Sequence, residues 1–212
     1  MKLTHVHRIS TTSRLTGHAL YKQAKQGNQI AAQKVIEDII PMKNQFRYLE
    51  GYVCPVLKSN GNKLPLALAY LMASHSNMTL YDFIYLQHTS HGSSMTERLY
   101  YQPSFSGMVK PADYVIVDDV YTTGKTLKSL KNYIESKGGN VISAWCIGSG
   151  PSLEFEPKRM LLRLLTAKFP TIYRYFDLNE LTSPQIHYLL RLSSLNKLWM
   201  IHADNQLSLM LA

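Results

Sequence analysis

Two adjacent carboxylates, Asp118 and Asp119, stand just ahead of a hydroxyl-rich turn made of Tyr121, Thr122, Thr123, Gly124, Lys125 and Thr126. The threonines supply hydroxyl donors, and Gly124 allows close approach of a ligand to the backbone. The N–H groups of a loop entering a helix have no intrahelical partners, so they can bind phosphate oxygens with help from the helix dipole. Lys125 adds a positive charge. The acid pair would repel phosphate. It suits sugar hydroxyls, a cationic transition state or the bound waters of a metal. Acids for a sugar beside donors for its phosphate describe a site for a sugar phosphate. Two nearby alternatives fail on spacing. A P-loop needs a glycine about five positions before Gly-Lys-Thr, where this chain has Asp119. A dinucleotide fingerprint needs three spaced glycines, and the turn has one.

These residues need a scaffold that delivers them together. Tyr114, Val115, Ile116 and Val117 form a β-branched and aromatic run that predicts a buried strand ending at the acids. After the turn, Leu127, Leu130, Tyr133 and Ile134 share one helical face, and Gly138 and Gly139 can end the helix. Residues 141–147 predict the next strand. Upstream the same order occurs: a strand over 48–57, a basic turn of Lys58, Ser59, Asn60, Gly61, Asn62 and Lys63, then a helix over 64–73 with Pro65 in its first turn. Residues 82–88 predict a further strand. A long polar segment with Arg98 follows over 89–109, a length that suits a lid over a site. Strands alternating with helices imply an α/β fold, a right-handed parallel sheet flanked by helices, with its ligand crevice at the carboxyl ends of the strands. Both turns and the polar segment fall at that edge.

The flanks carry less chemistry. His5 and His7 are spaced along one strand face, without a third metal ligand. Apolar spacing over 17–40 predicts two helices broken at Gly27 and Asn28. Residues 160–169 and 183–194 have helical spacing with Pro170 and Pro184 at their boundaries, and 197–203 predict a short strand. The expected organisation is an N-terminal helical hairpin within 1–47 that can act as a hood, an α/β core over 48–150, and a helical cap over 151–212. Trp145, Phe155, Tyr173, Tyr175 and Trp199 are candidates to stack on a base, though each individually suits a core better.

The stretch from Asp118 to Thr126 resembles the phosphoribosyl-pyrophosphate (PRPP) motif of type I phosphoribosyltransferases: a hydrophobic strand, two acids, Thr-Thr-Gly, one residue, then Thr. The wording Asp118-Asp119-Val120-Tyr121-Thr122-Thr123-Gly124 is most similar to ComF-like members, although the sequence has none of their cysteine-rich zinc segment. The resemblance implies transfer of a phosphoribosyl group from PRPP to a nitrogen acceptor, a nucleobase, with release of pyrophosphate. It implies that Tyr121, Thr122, Thr123, Gly124, Lys125 and Thr126 hold the 5′-phosphate, and that Asp118 and Asp119 hold the ribose hydroxyls and, through them or water, Mg²⁺. Lys58, Ser59, Asn60, Gly61 and Asn62 stand where the family's pyrophosphate loop lies, and Arg98 stands in the closing loop. A homodimer is usual in that family. The alternative on the same fold is a regulator that binds PRPP or a nucleotide without catalysis.

The whole chain sets outer limits. Its 212 residues can bury a sizeable core. No apolar run approaches the ~20 residues of a membrane helix, and the first residues lack a signal-peptide core. Cys54 and Cys146 form no metal-spacing motif. A cytoplasmic protein is the expectation. The net charge of +9 is uneven, because residues 1–60 hold nine Lys/Arg against three Asp/Glu. That excess suits a polyanionic ligand or nucleic acid, and equally a solvated surface.

Overall fold

The computed structural model describes residues 6–10, 12–40, 43–58, 61–87, 103–122, 124–149, 158–178, 181 and 183–194. The expectations for Ser59, Asn60, Arg98, Thr123, Phe155, Trp199 and residues 197–203 lie outside these. The described residues form two compact units, one within 6–87 and 103–149 and one within 158–194.

The first unit is built on β1 (Val6–Arg8), β2 (Glu50–Pro55), β4 (Asn77–Leu80), β7 (Asp113–Tyr121) and β8 (Asn140–Ser149). They form one sheet in the order β1-β8-β7-β2-β4, and every pairing is parallel. A smaller sheet joins β3 (Leu57–Lys58) and β5 (Ile84–Leu86) in parallel, with β6 (Phe105–Gly107) antiparallel on β5. Helices α1 (Thr12–Thr16), α2 (Tyr21–Lys25), α3 (Gln29–Ile39), α4 (Leu64–Ser74) and α5 (Lys125–Ser136) complete the unit.

Strand β7 is the centre of the large sheet, and its side chains alternate between two cores because strand residues point to opposite faces. Val115 and Val117 join Ala24, Val35, Ile36, Leu68 and Met72 from α2, α3 and α4. Tyr114 and Ile116 join Leu127, Leu130 and Ile134 from α5. A parallel sheet covered on both faces needs such a continuous apolar run. Alternation carries on to the strand's end, so Asp118 continues the α5 face and Asp119 the face of α2–α4.

The parallel α/β arrangement agrees with the sequence expectation, with β6 lying inside the polar segment expected over 89–109 and two further differences in the strands. The strand beside β2 is β4, not residues 82–88. Only Ile84–Leu86 of that stretch is a strand, and it belongs to the small sheet. The turn after Leu80 explains the change: Tyr81 is buried and its hydroxyl donates to Met108 O at 3.0 Å, which ends one strand before the next begins. The other difference is β1, a polar edge strand. It is held through backbone pairing to β8 and by stacking of His7 on Trp145, with ring centroids 4.3 Å apart. Trp145 is thus core, packed against Phe46 as well.

The expected break at Gly27-Asn28 is present. Helix α2 ends at Lys25 with Gln26 as its C-cap, and Asn28 starts the next helix by accepting from Ala31 N–H at 2.9 Å, an N-cap. The helices within 12–39 lie in the same compact unit as the sheet. Helices α6 (Lys158–Lys168) and α7 (Ser183–Arg191) form the second unit, with its own core of Leu161, Leu165, Phe169, Ile172, Ile186 and Leu189. Tyr173 is exposed there and Tyr175 half-buried.

Candidate functional site

The carboxyl end of β7 brings Asp118 and Asp119 into the interior, with exposures of 4% and 2%. A buried carboxylate needs compensating charge and hydrogen bonds. Here the partners come from three places in the chain. Lys58, on β3, bridges the pair: its Nζ donates to Asp118 Oδ1 at 2.9 Å and to Asp119 Oδ1 at 3.2 Å. Lys25, on α2, donates to Asp119 Oδ2 at 2.6 Å. Asn62 Nδ2 donates to the same oxygen at 3.0 Å. Asp119 N–H closes back onto Asp118 Oδ1 at 2.9 Å. Two carboxylates and two ammonium groups make the cluster neutral.

Local chain geometry explains why Lys25 arrives there. Gly27 and Gly61 have φ of +104° and +81°, in the left-handed region, and a Cβ on Gly27 would lie 3.3 Å from Gly61 O. Side chains at these positions would separate the two turns. Lys63 N–H also donates to Ala24 O at 3.1 Å, so the end of α2 is tied to the 58–63 loop. Sequence reasoning missed Lys25. The only signal was a lysine just before a glycine turn, which does not identify a partner ninety-four positions later.

The electrostatics follow from this packing. Burial pushes the Asp118 carboxyl up, to about 6, against the pull of Lys58 and with the push of the neighbouring Asp119 charge. Burial also opposes the Asp119 charge, but Lys58, Lys25 and the hydrogen bond with Asp118 outweigh it and hold Asp119 well below the usual carboxylate range. For Lys58 burial disfavours the ammonium, and the two carboxylates overcome that and hold its pKa above the ordinary lysine value. Tyr21, one turn before Lys25 on α2, has its phenol pushed up by burial and by the charge of Asp119.

The turn after β7 has a different character. Thr122 is exposed, Thr126 half-buried and Lys125 buried. Gly124, which has no side chain to cap with, takes φ +75° at the N-cap of α5. The space a Cβ would fill at Gly124 is taken by Tyr121, whose hydroxyl would be 2.6 Å from it. The glycine therefore admits the Tyr121 ring against the backbone.

The described part of the upstream loop is Lys58 and Gly61 to Lys63. Asn62 has two jobs: its amide donates to Asp119, and its Oδ1 accepts from Leu64 N–H at 3.2 Å at the start of α4. Beside it lies a cleft of about 470 Å³ lined by Leu57, Lys58, Asn62, Lys63, Asp82 and Tyr85, among others.

Mg²⁺ is the cofactor implied for this position. It takes oxygen ligands in near-octahedral geometry, usually one or two carboxylates plus substrate phosphates and waters. The two carboxylates present are already bridged by an ammonium, with a second ammonium on Asp119. Among the described residues no group of three or more His, Cys, Asp or Glu is placed to hold a metal. As arranged, these residues do not fit Mg²⁺.

No protein-family model matches the chain. Protein TraN of Escherichia coli is 33% identical over 142 residues, which are 61% of this chain and 32% of that protein. An uncharacterized protein of Haemophilus influenzae is 33% identical over 135 residues, 56% of this chain and 29% of that one. The chain thus spans about a third of the length of these relatives. Among solved structures, a hypoxanthine phosphoribosyltransferase from Staphylococcus aureus superposes over 57% of this chain and 64% of its own, with TM-score 0.35 and 18% identity. The orotate phosphoribosyltransferase of Aeropyrum pernix covers 72% of this chain and 71% of its own, with TM-score 0.34 and 16% identity. Scores this low carry no argument about the site. No helix among the described residues is long and apolar enough to cross a membrane.

Proposed function

We propose that the chain binds PRPP at the carboxyl edge of the large sheet and transfers its phosphoribosyl group to a nitrogen acceptor of the nucleobase class. One observation carries the reading. Strand β7 ends on two buried carboxylates and is followed by helix α5, whose N-cap is Gly124 in the left-handed region. The backbone N–H groups at the start of α5, with Thr122 and Thr126, suit the 5′-phosphate. Asp118 and Asp119 accept from the ribose hydroxyls. Lys58 and Asn62, on the neighbouring loop, face the departing pyrophosphate. In the reaction the bond from C1 to the pyrophosphate oxygen breaks and that oxygen keeps the electron pair. The carboxylates favour the positive sugar, and Lys58 favours the leaving anion. The acceptor nitrogen supplies the pair for the new bond to C1 and then releases its proton. Thr123, Ser59, Asn60 and Arg98 join this proposal through the motif resemblance.

A second reading has its own support. Both carboxylates are held by lysines, so the acids are engaged before any sugar arrives. A protein built to sense PRPP, without transfer, is consistent with that closure, since fold alone does not confer activity. Pyrophosphate release from PRPP, measured against a panel of purines, pyrimidines and orotate, separates the two. Transfer predicts release with one acceptor and its loss in the Asp118→Asn, Asp119→Asn variant. PRPP binding with no release for any acceptor supports the sensor and removes the transferase.

A further inference from the structure

We propose that Lys58 takes the bridging place of a divalent cation, so that this site binds a phosphorylated sugar without metal. The geometry carries it. One ammonium contacts an oxygen of each carboxylate at 2.9 and 3.2 Å, and its side chain is 15% exposed. Lys25 holds the remaining oxygen of Asp119 at 2.6 Å from a separate helix. A dication entering between the acids would meet two positive groups already within contact distance of the same oxygens. At these separations like charges repel by kilocalories even at the high effective dielectric of a protein surface. Expelling Lys58 would also break its two charge-assisted hydrogen bonds to the buried carboxylates. The lysines are not incidental to the fold. Lys58 sits on a strand paired to β5, and Lys25 is fixed by the Gly27–Gly61 approach.

An ammonium at the acids presents its remaining surface to whatever occupies the crevice, and an anionic phosphate would share it. Lys58 also lines the adjacent cleft of about 470 Å³, together with Lys63 and Asn62. Phosphate oxygens entering from that side meet two lysines and an amide beside one carboxylate, Asp82. The identity of the sugar phosphate rests on the proposed function. The exclusion of metal by Lys58 does not.

The experiment has two arms. In the first, Mn²⁺ alone is titrated into the full chain and free Mn²⁺ is followed by electron paramagnetic resonance. The wild type is expected to bind no more Mn²⁺ than an Asp118→Asn, Asp119→Asn variant. Lys58→Met is expected to gain Mn²⁺ affinity by at least about tenfold, roughly 1.4 kcal/mol. Stoichiometric, Asp118-dependent Mn²⁺ binding by the wild type overturns the inference. Lys58→Arg serves as a folded control, because it keeps a cation at the bridge and should still bind no Mn²⁺. In the second arm, PRPP and ribose 5-phosphate are titrated calorimetrically in EDTA and in Mg²⁺. Equal affinities within about threefold support the inference, and binding only with Mg²⁺ overturns it. If neither compound binds in either buffer, the proposed function fails, and the Mn²⁺ arm still decides what Lys58 does.

Discussion

The chain uses one plan twice, strand then glycine-containing loop then helix, and the two copies end differently. In the first, β2 and β3 lead through 58–63 to α4. The start of α4 is closed by its own chain: Asn62 Oδ1 takes the Leu64 N–H, and Pro65 has no N–H to offer. In the second, β7 leads to α5, whose N-cap is Gly124 with no side-chain hydrogen bond. Helix α4 is buried on most of its faces, while α5 is amphipathic. The first copy therefore gives side chains, Lys58 and Asn62, to the acids of the second. The second supplies the acids themselves and has Gly124, packed against Tyr121, at the start of its helix.

Removing the charge that the first copy answers should have the largest effect. Asp119→Asn leaves the half-buried Lys25 and Lys58 with one buried carboxylate between them. Breaking a buried pair this way costs about 3–5 kcal/mol, read as a lower denaturant midpoint at unchanged slope. Adding Lys25→Met to Asp119→Asn should recover part of the loss. A double variant no more stable than the single would mean that Lys25 and Asp119 are not coupled.

Next in size is the pH dependence of Asp118. Its carboxyl binds a proton more tightly in the folded protein than in the unfolded chain, with a folded pKa pushed up to about 6 by burial. Between the unfolded value and that one, the native state holds the extra proton, so stability falls as pH rises. Asp119 has the opposite sign: its contribution is present above the ordinary carboxylate range and is lost on acidification. The stability of the wild type relative to Asp118→Asn should thus decline from about pH 4 to 6 and then level, by at most about 3 kcal/mol. A difference that rises across that window would contradict the burial argument.

How far the sequence anticipates this depends on where each signal resides. Strands β7 and β8 and helices α4 and α5 carry their own apolar runs, because both faces of the sheet are covered, and these elements were legible. Strand β1 was not: an edge strand with exposed His7 and Arg8 has no hydrophobic pattern, and backbone pairing to β8 creates it. Strand β4 has one buried residue, Met78, so the richer apolar run at 82–88 outcompeted it. In the site, the acids were legible from their place at the end of an apolar strand. Lys58 was visible only as a member of a basic loop. Lys25 was invisible, since its role is set by the approach of two glycine turns far apart in sequence.

The Gly124 turn offers a sharper test of the second copy. Gly124→Ala places a Cβ in a left-handed backbone, 2.6 Å from the Tyr121 hydroxyl and 2.8 Å from its ring carbons. The backbone alone costs about 1–2 kcal/mol, with the steric clash in addition. Tyr121→Ala with Gly124→Ala should return the clash portion and leave the backbone portion. Full recovery in thermal unfolding would show that φ at this position relaxes.

The smallest effect separates the two duties of Asn62, and with them the two copies. Asn62→Ala loses both the oxygen at the α4 start and the donor to Asp119, about 1–2 kcal/mol together. Asn62→Asp keeps an acceptor for Leu64 N–H but replaces the donor with a third carboxylate facing Asp119. If Asn62 serves the acids, Asn62→Asp is the less stable of the two at neutral pH and recovers on mild acidification, as the new carboxylate takes up a proton. If Asn62 serves only as a cap, Asn62→Asp is the more stable. The order of the two variants in one denaturation series decides whether the first loop belongs to its own helix or to the acids of β7.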